Sequence, residues 1–128
     1  MKKSALQFKN PKIEYVLFEL NKCFDEQSEL SMQMRSEVNI NKDTENREAT
    51  ITLTLEFDKD SCNLPFYLKI AASSDFRWRE NLSFDIDKTL KVSGSTMLLS
   101  YLRPTIANLT MQAGLAPFHL PFFDLTSE

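Results

Sequence analysis

Residues 95–123, STMLLSYLRPTIANLTMQAGLAPFHLPFF, divide into a helical half and a half that no regular element accommodates. Through Gln112, the apolar residues Met97, Leu98, Tyr101, Leu102, Ile106, Leu109 and Met111 recur at helical spacing on one broad face. Past Ala113-Gly114, Leu115, Ala116, Phe118, Leu120, Phe122 and Phe123 crowd around Pro117 and Pro121. Prolines this close forbid a regular helix and disfavour an interior strand. An extended segment so apolar is expected to lie in a groove, of its own domain or of a partner, because only burial removes that surface from water. Gly114 is the expected helix stop. Pro104 removes a backbone hydrogen bond inside the helix at a cost of about 3 kcal/mol if the helix stays straight, which predicts a kink near Ser100. Ser93-Gly94-Ser95 is expected to reset the backbone, with Ser93 or Ser95 as the cap, after a short helical turn from Asp87.

Upstream of this stretch the period is two. Residues 13–20 (IEYVLFEL) read as a strand, aromatic and β-branched, with Pro11 at its entrance. Residues 21–30 are polar, with reason to bury only Cys23 and Phe24. From Met32, Met34, Val38 and Ile40 alternate with Gln33, Arg35, Glu37 and Asn39. Ala49, Ile51, Leu53, Leu55 and Phe57 then alternate with Thr50, Thr52, Thr54 and Glu56 beyond the turn at 41–46. After a second turn at 58–63, Phe66, Leu68, Ile70 and Ala72 oppose Tyr67, Lys69 and Ala71, with a bulge expected at 73–75 before alternation resumes at 76–79. The expected architecture is a single α+β domain over 1–128: a four-stranded antiparallel meander-type sheet, one long C-terminal helix on one face, and a Pro-rich extended segment. Such a helix covers one sheet face. Val16, Phe18 and Leu20 on the first strand then need a second subunit or a bound partner to cover them.

Composition narrows the function. The net charge of −3 with both signs interleaved offers no basic face for nucleic acid. No apolar run approaches membrane-spanning length and no apolar core follows the basic start, so a cytoplasmic protein is expected. Cys23 and Cys62 lack metal-site spacing and are expected to be reduced and buried. His119 is the sole histidine, and Gly94 and Gly114 the only glycines, so neither a zinc site, a catalytic histidine with a neighbouring partner nor a phosphate-cradling loop is expected. The pairs Asp58/Asp60 and Asp85/Asp87 fall in turns, where solvation and capping account for them. No enzyme and no cofactor are predicted. The chain is rich instead in Phe (10) and Met (5), soft and adaptable surfaces that suit partners of variable sequence.

The helix segment LLSYLRPTIANL and the closing GLAPFHLPFFDL resemble SecB, the cytosolic chaperone of protein export, and its shorter SecB-like relatives. The family carries a helix segment F-P-Y-x-R-x-x-I, and Leu99, Ser100, Tyr101, Arg103 and Ile106 take the corresponding places. A loop with Gly, two Pro and Leu follows it there, as Gly114, Pro117, Leu120 and Pro121 do here. Pro104 departs from the pattern, and a full-length SecB continues into a second helix and tail where this chain ends at Glu128. The resemblance implies an ATP-independent holdase for unfolded or apolar polypeptide, assembled as a homodimer or homotetramer and linked to protein export. Its peptide groove would be lined by Phe57, Phe66, Leu115, Phe118, Leu120, Phe122 and Phe123. The candidate oligomer interface is Val16, Phe18, Leu98, Tyr101 and Leu102. The outward sheet positions are mixed in sign, unlike the acidic surface that engages the SecA motor, so coupling to SecA is not expected. Two alternatives stay open: an adaptor of the same fold dedicated to one partner, such as an antitoxin, and a small-ligand binder using the space between helix and sheet.

Overall fold

The computed structural model describes residues 6–30, 33–57, 63–79 and 85–120. Met32, Cys62, Pro121, Phe122, Phe123, the Asp58/Asp60 pair and the connection through Leu82 and Phe84 lie outside those residues.

The chain forms one antiparallel sheet: β1 (Leu6–Phe8), β2 (Lys12–Leu20), β3 (Met34–Asp43), β4 (Glu48–Phe57) and β5 (Phe66–Trp78). There are five strands rather than four because the first is divided. β1 and β2 both pair with β5, and Pro11, which has no N–H to give the ladder, stands just before β2. The strands β3, β4 and β5 follow one another as a meander, but β2 crosses over to lie beside β5 instead of β3, closing a Greek key.

The bulge expected at 73–75 falls on the partner strand. Thr50, Ile51 and Thr52 pair in unbroken register with Asp75, Ser74 and Ser73, whereas β2 shifts register between Ile13 and Tyr15. The serines serve that irregular neighbour. Ser73 donates its hydroxyl to the Glu14 carboxylate, and Ser74 donates to the Lys9 carbonyl, a main-chain group outside the β1 and β2 strands.

One sheet face is the core. Ile51, Leu53, Leu55 and Phe57 on β4 meet Ser74, Ala72, Ile70 and Leu68 across the ladder, all turned toward the helix and buried. The helical region begins at α1 (Ile86–Thr89), passes through a π-helical turn at Leu90–Gly94 and continues as α2 (Ser95–Gln112). Its cap is Asp85, which accepts the N–H groups of Asp87 and Lys88. Asp87 instead pairs with Lys42, tying the start of the helix to the end of β3.

Gly94 does not reset the backbone; it is helical at φ −64°, ψ −47°. A glycine is needed there because the helix approaches β4 closely: a Cβ would lie 2.4 Å from Ile51 Cδ1. The irregular stretch of the helix is this π-helical turn, upstream of the kink expected at Ser100, and α2 itself continues through Pro104. Gly114, at φ +88°, ends it as expected. Leu115 N–H bonds back to the Thr110 carbonyl and Gly114 N–H to that of Met111, the two bonds of a Schellman close.

Residues 21–30, which connect β2 toward β3, are anchored across the sheet end. Asn21 Nδ2 donates to the Leu64 carbonyl at 2.8 Å, and Asn63 Nδ2 donates to the Glu29 carbonyl at 2.9 Å and to that of Asp25 at 3.3 Å. Cys23 is exposed, contrary to expectation, because the loop lies on the surface and partly buries only Asn21 and Phe24. Hydrogen bonds from the Ser28 hydroxyl and the Gln27 N–H hold the Asp25 carboxyl below its ordinary value of 3.8. The carboxylate's contribution to this turn is therefore complete above that value and is lost as pH falls through the lowered one.

Asn63→Ala is expected to speed proteolytic cleavage after Lys22 severalfold while lowering global stability by only about 1–2 kcal/mol. Unchanged cleavage would mean that the anchor does not hold the loop.

Candidate functional site

The helix ends where the sheet's aromatic residues gather, and residues 115–120 turn back over them. Two bonds fix this return. Phe118 N–H donates to Thr110 Oγ1 at 2.9 Å, and the Arg103 guanidinium donates to the Leu120 carbonyl. Thr110 is fully buried and in turn donates to carbonyls of its own helix, Ala107 at 2.9 Å and Ile106 at 3.1 Å. The segment forms a lip held to α2 through its main chain.

Beneath the lip is a cluster of phenylalanines from three strands. The Phe118 ring stands edge-on to Phe66 at 5.2 Å and to Phe57 at 5.7 Å, and Phe18 of β2 stacks on Phe66 at 5.6 Å. Of the expected groove residues, Phe57, Phe66, Leu115, Phe118 and Leu120 therefore come together. Phe57 and Phe66 are each only 1% exposed, so the lip covers the floor it was expected to border.

The cover stops at β2. Past Phe18, Val16 is 38% exposed and Leu20 is 44% exposed on the helix side of the sheet. On the opposite side Tyr15 and Leu17 are also exposed. β2 pairs only with β5 among the described residues and is an edge strand with apolar side chains on both faces. Pro11 at the strand entrance is compatible with this edge, but the crossover that places β2 beside β5 was not visible in the pattern.

The helix residues expected at an oligomer interface divide. Leu98 and Leu102 are fully buried within a single chain, facing the sheet, so they belong to its core rather than to an interface. Tyr101 is half-buried and packs against that core. On the solvent side of the lip, Arg103, Pro104, Met111, Pro117 and the exposed His119 line a shallow depression of about 420 Å³.

A Mycobacterium tuberculosis SecB-like chaperone, Rv1957, in complex with a ChAD peptide from the Rv1956 HigA1 antitoxin, superposes with a TM-score of 0.74 over 94% of this chain and 91% of that one, at 13% identity. The fold is SecB-like. A Streptococcus agalactiae protein of unknown function is a more distant structural match, with a TM-score of 0.51 at 14% identity over 91% of this chain and 97% of that one. In sequence, an uncharacterized protein of Methanocaldococcus jannaschii, MJ0357, is 28% identical over 122 residues, 93% of this chain and 79% of that protein. No protein-family model matches the chain.

Within the SecB-like fold, Arg103 links the helix segment to the Pro-rich loop by its bond to Leu120. No helix among the described residues is long and apolar enough to cross a membrane, and no group of three or more metal-ligating side chains occurs among them.

Proposed function

We propose that this protein is a SecB-like holdase that binds unfolded or apolar polypeptide in the cytosol without nucleotide, lowering the concentration of free aggregation-prone chain. The observation that carries this reading is the aromatic cluster of Phe57, Phe66 and Phe18, covered by the lip and continued by the exposed Val16 and Leu20 on an edge strand. Burying client side chains there yields about 25 cal/mol per Å² without reading sequence. Among the described residues β2 pairs only with β5, so its other edge offers main-chain groups to an extended chain.

Self-association as a homodimer or homotetramer fits the same elements. Val16 and Phe18 lie on that edge, and Arg103 is the only charged side chain in α2, a composition suited to cover by a second copy. On the outer sheet face Glu48 pairs with Arg77 and Glu56 with Lys69, so that face is mixed in sign, and coupling to a motor such as SecA is not part of this reading.

A second reading is an adaptor dedicated to one partner. Two observations favour it: Phe118 already occupies the floor, and a protein of the same fold was solved with an antitoxin peptide. Light scattering of several unrelated denatured proteins separates the two. Suppression of aggregation for all of them at near-equimolar ratio is the result expected of the holdase. Protection of one alone supports the adaptor, and protection of none removes the holdase.

A further inference from the structure

Resting on that reading, we propose that residues 115–120 are an internal stand-in for the ligand. The site takes an extended polypeptide of the pattern aliphatic-x-x-aromatic-x-aliphatic, which enters by displacing the chain's own copy, LAPFHL.

The segment is held as a bound peptide would be. Its polar anchors are main-chain groups, the Phe118 N–H on Thr110 Oγ1 and the Leu120 carbonyl on Arg103, which any chain in the same path supplies. Its side chains divide by burial: Phe118 stands on Phe57 and Phe66, Leu120 is 4% exposed and Leu115 is partly buried, while Ala116, Pro117 and His119 are exposed. The inward positions set the pattern.

The segment is also built to leave. It has no helix or strand bonding of its own beyond Leu115. It follows Gly114, where an added Cβ would meet no heavy atom within 4 Å beyond its chain neighbours. When it leaves, Thr110 Oγ1 stands as a buried acceptor without its N–H, and Phe57 and Phe66 lose their cover. Both deficits are relieved by a chain of the same pattern. The seated copy lowers apparent affinity by the fraction of molecules that are open, so weakening it raises affinity.

The test uses a fluorescein-labelled synthetic peptide carrying GLAPFHL between soluble flanks, and a shuffled peptide of equal composition, titrated by anisotropy into the full chain and its Phe118→Ala variant. The GLAPFHL peptide is expected to bind the variant at least tenfold more tightly than the wild type, and at least tenfold more tightly than the shuffled peptide. Adding Thr110→Val to the variant should weaken that binding about fivefold.

Should Phe118→Ala fail to fold, hydrogen exchange on the wild type decides: excess GLAPFHL peptide should accelerate exchange of the Phe118 amide, and an unchanged rate overturns the proposal. Equal binding of both peptides also overturns it, and leaves the holdase reading standing if unrelated clients are still protected from aggregation. No binding of either peptide together with no client protection removes both. A rise in the mass of Phe118→Ala over the wild type at the titration concentrations would assign the floor to a neighbouring copy's segment and likewise overturn the proposal.

Discussion

Replacing Phe66 by alanine is expected to lower the unfolding free energy by about 3–5 kcal/mol. Its ring is the hub of the aromatic cluster, stacked on Phe18 at 5.6 Å and edge-on to Phe118 at 5.2 Å and Phe57 at 6.2 Å. At 1% exposure it leaves a cavity that neighbours from three strands and the lip refill only partly. Phe118→Ala removes a ring that is partly exposed and is expected to cost about 1–2 kcal/mol, chiefly by loosening the lip. Urea denaturation of both variants checks the ranking. A Phe66→Ala loss below about 1 kcal/mol would contradict the described packing, since it is smaller than the transfer energy of a buried aromatic ring alone.

The second large effect concerns Leu102. Buried between α2 and the sheet, it is expected to cost about 2–5 kcal/mol when cut to alanine. The loss should not depend on protein concentration, because every contact it breaks lies within one chain. Thermal melts over a hundredfold range of concentration measure this. A deficit that shrinks as concentration rises would return Leu102 to a subunit interface, where the sequence reading had placed it together with Leu98.

The comparison of Leu102 with Val16 explains much of what the sequence could reveal. Period-two alternation in residues 34–57 and 66–78 identifies the inward residues, and those side chains are inward here. Alternation names a face, however, and not a neighbour. It therefore gave the β3–β5 meander but not the return of β2 to β5. The helix's apolar residues were legible as a face, but whether sheet or subunit covers each depends on how the helix lies across the strands.

Gly94 shows a different limit. Glycine serves both to break a helix and to admit close approach, and only the 2.4 Å gap to Ile51 distinguishes the second. Gly114 was legible because the helical pattern ends where it stands. Of the site, Phe118 and Leu120 could be read from a proline-punctuated apolar run. The anchor Thr110 could not, and Arg103, singled out by the resemblance, carried no sign of its bond to Leu120, since both anchors' partners are main-chain groups that carry no sequence signal. The loop anchors Asn21 and Asn63 were hidden for the same reason.

The central claim is that polypeptide is taken up along the floor between the lip and the edge strand. Methyl and aromatic NMR spectra of the protein, recorded with and without a permanently unfolded, apolar client chain, test it most directly. The account predicts the largest shift changes at Val16, Phe18, Leu20, Leu115 and Phe118, with little change at Thr50, Thr52 and Thr54 on the far side of the sheet. Perturbation confined to that far side, or none at any client concentration, would contradict it.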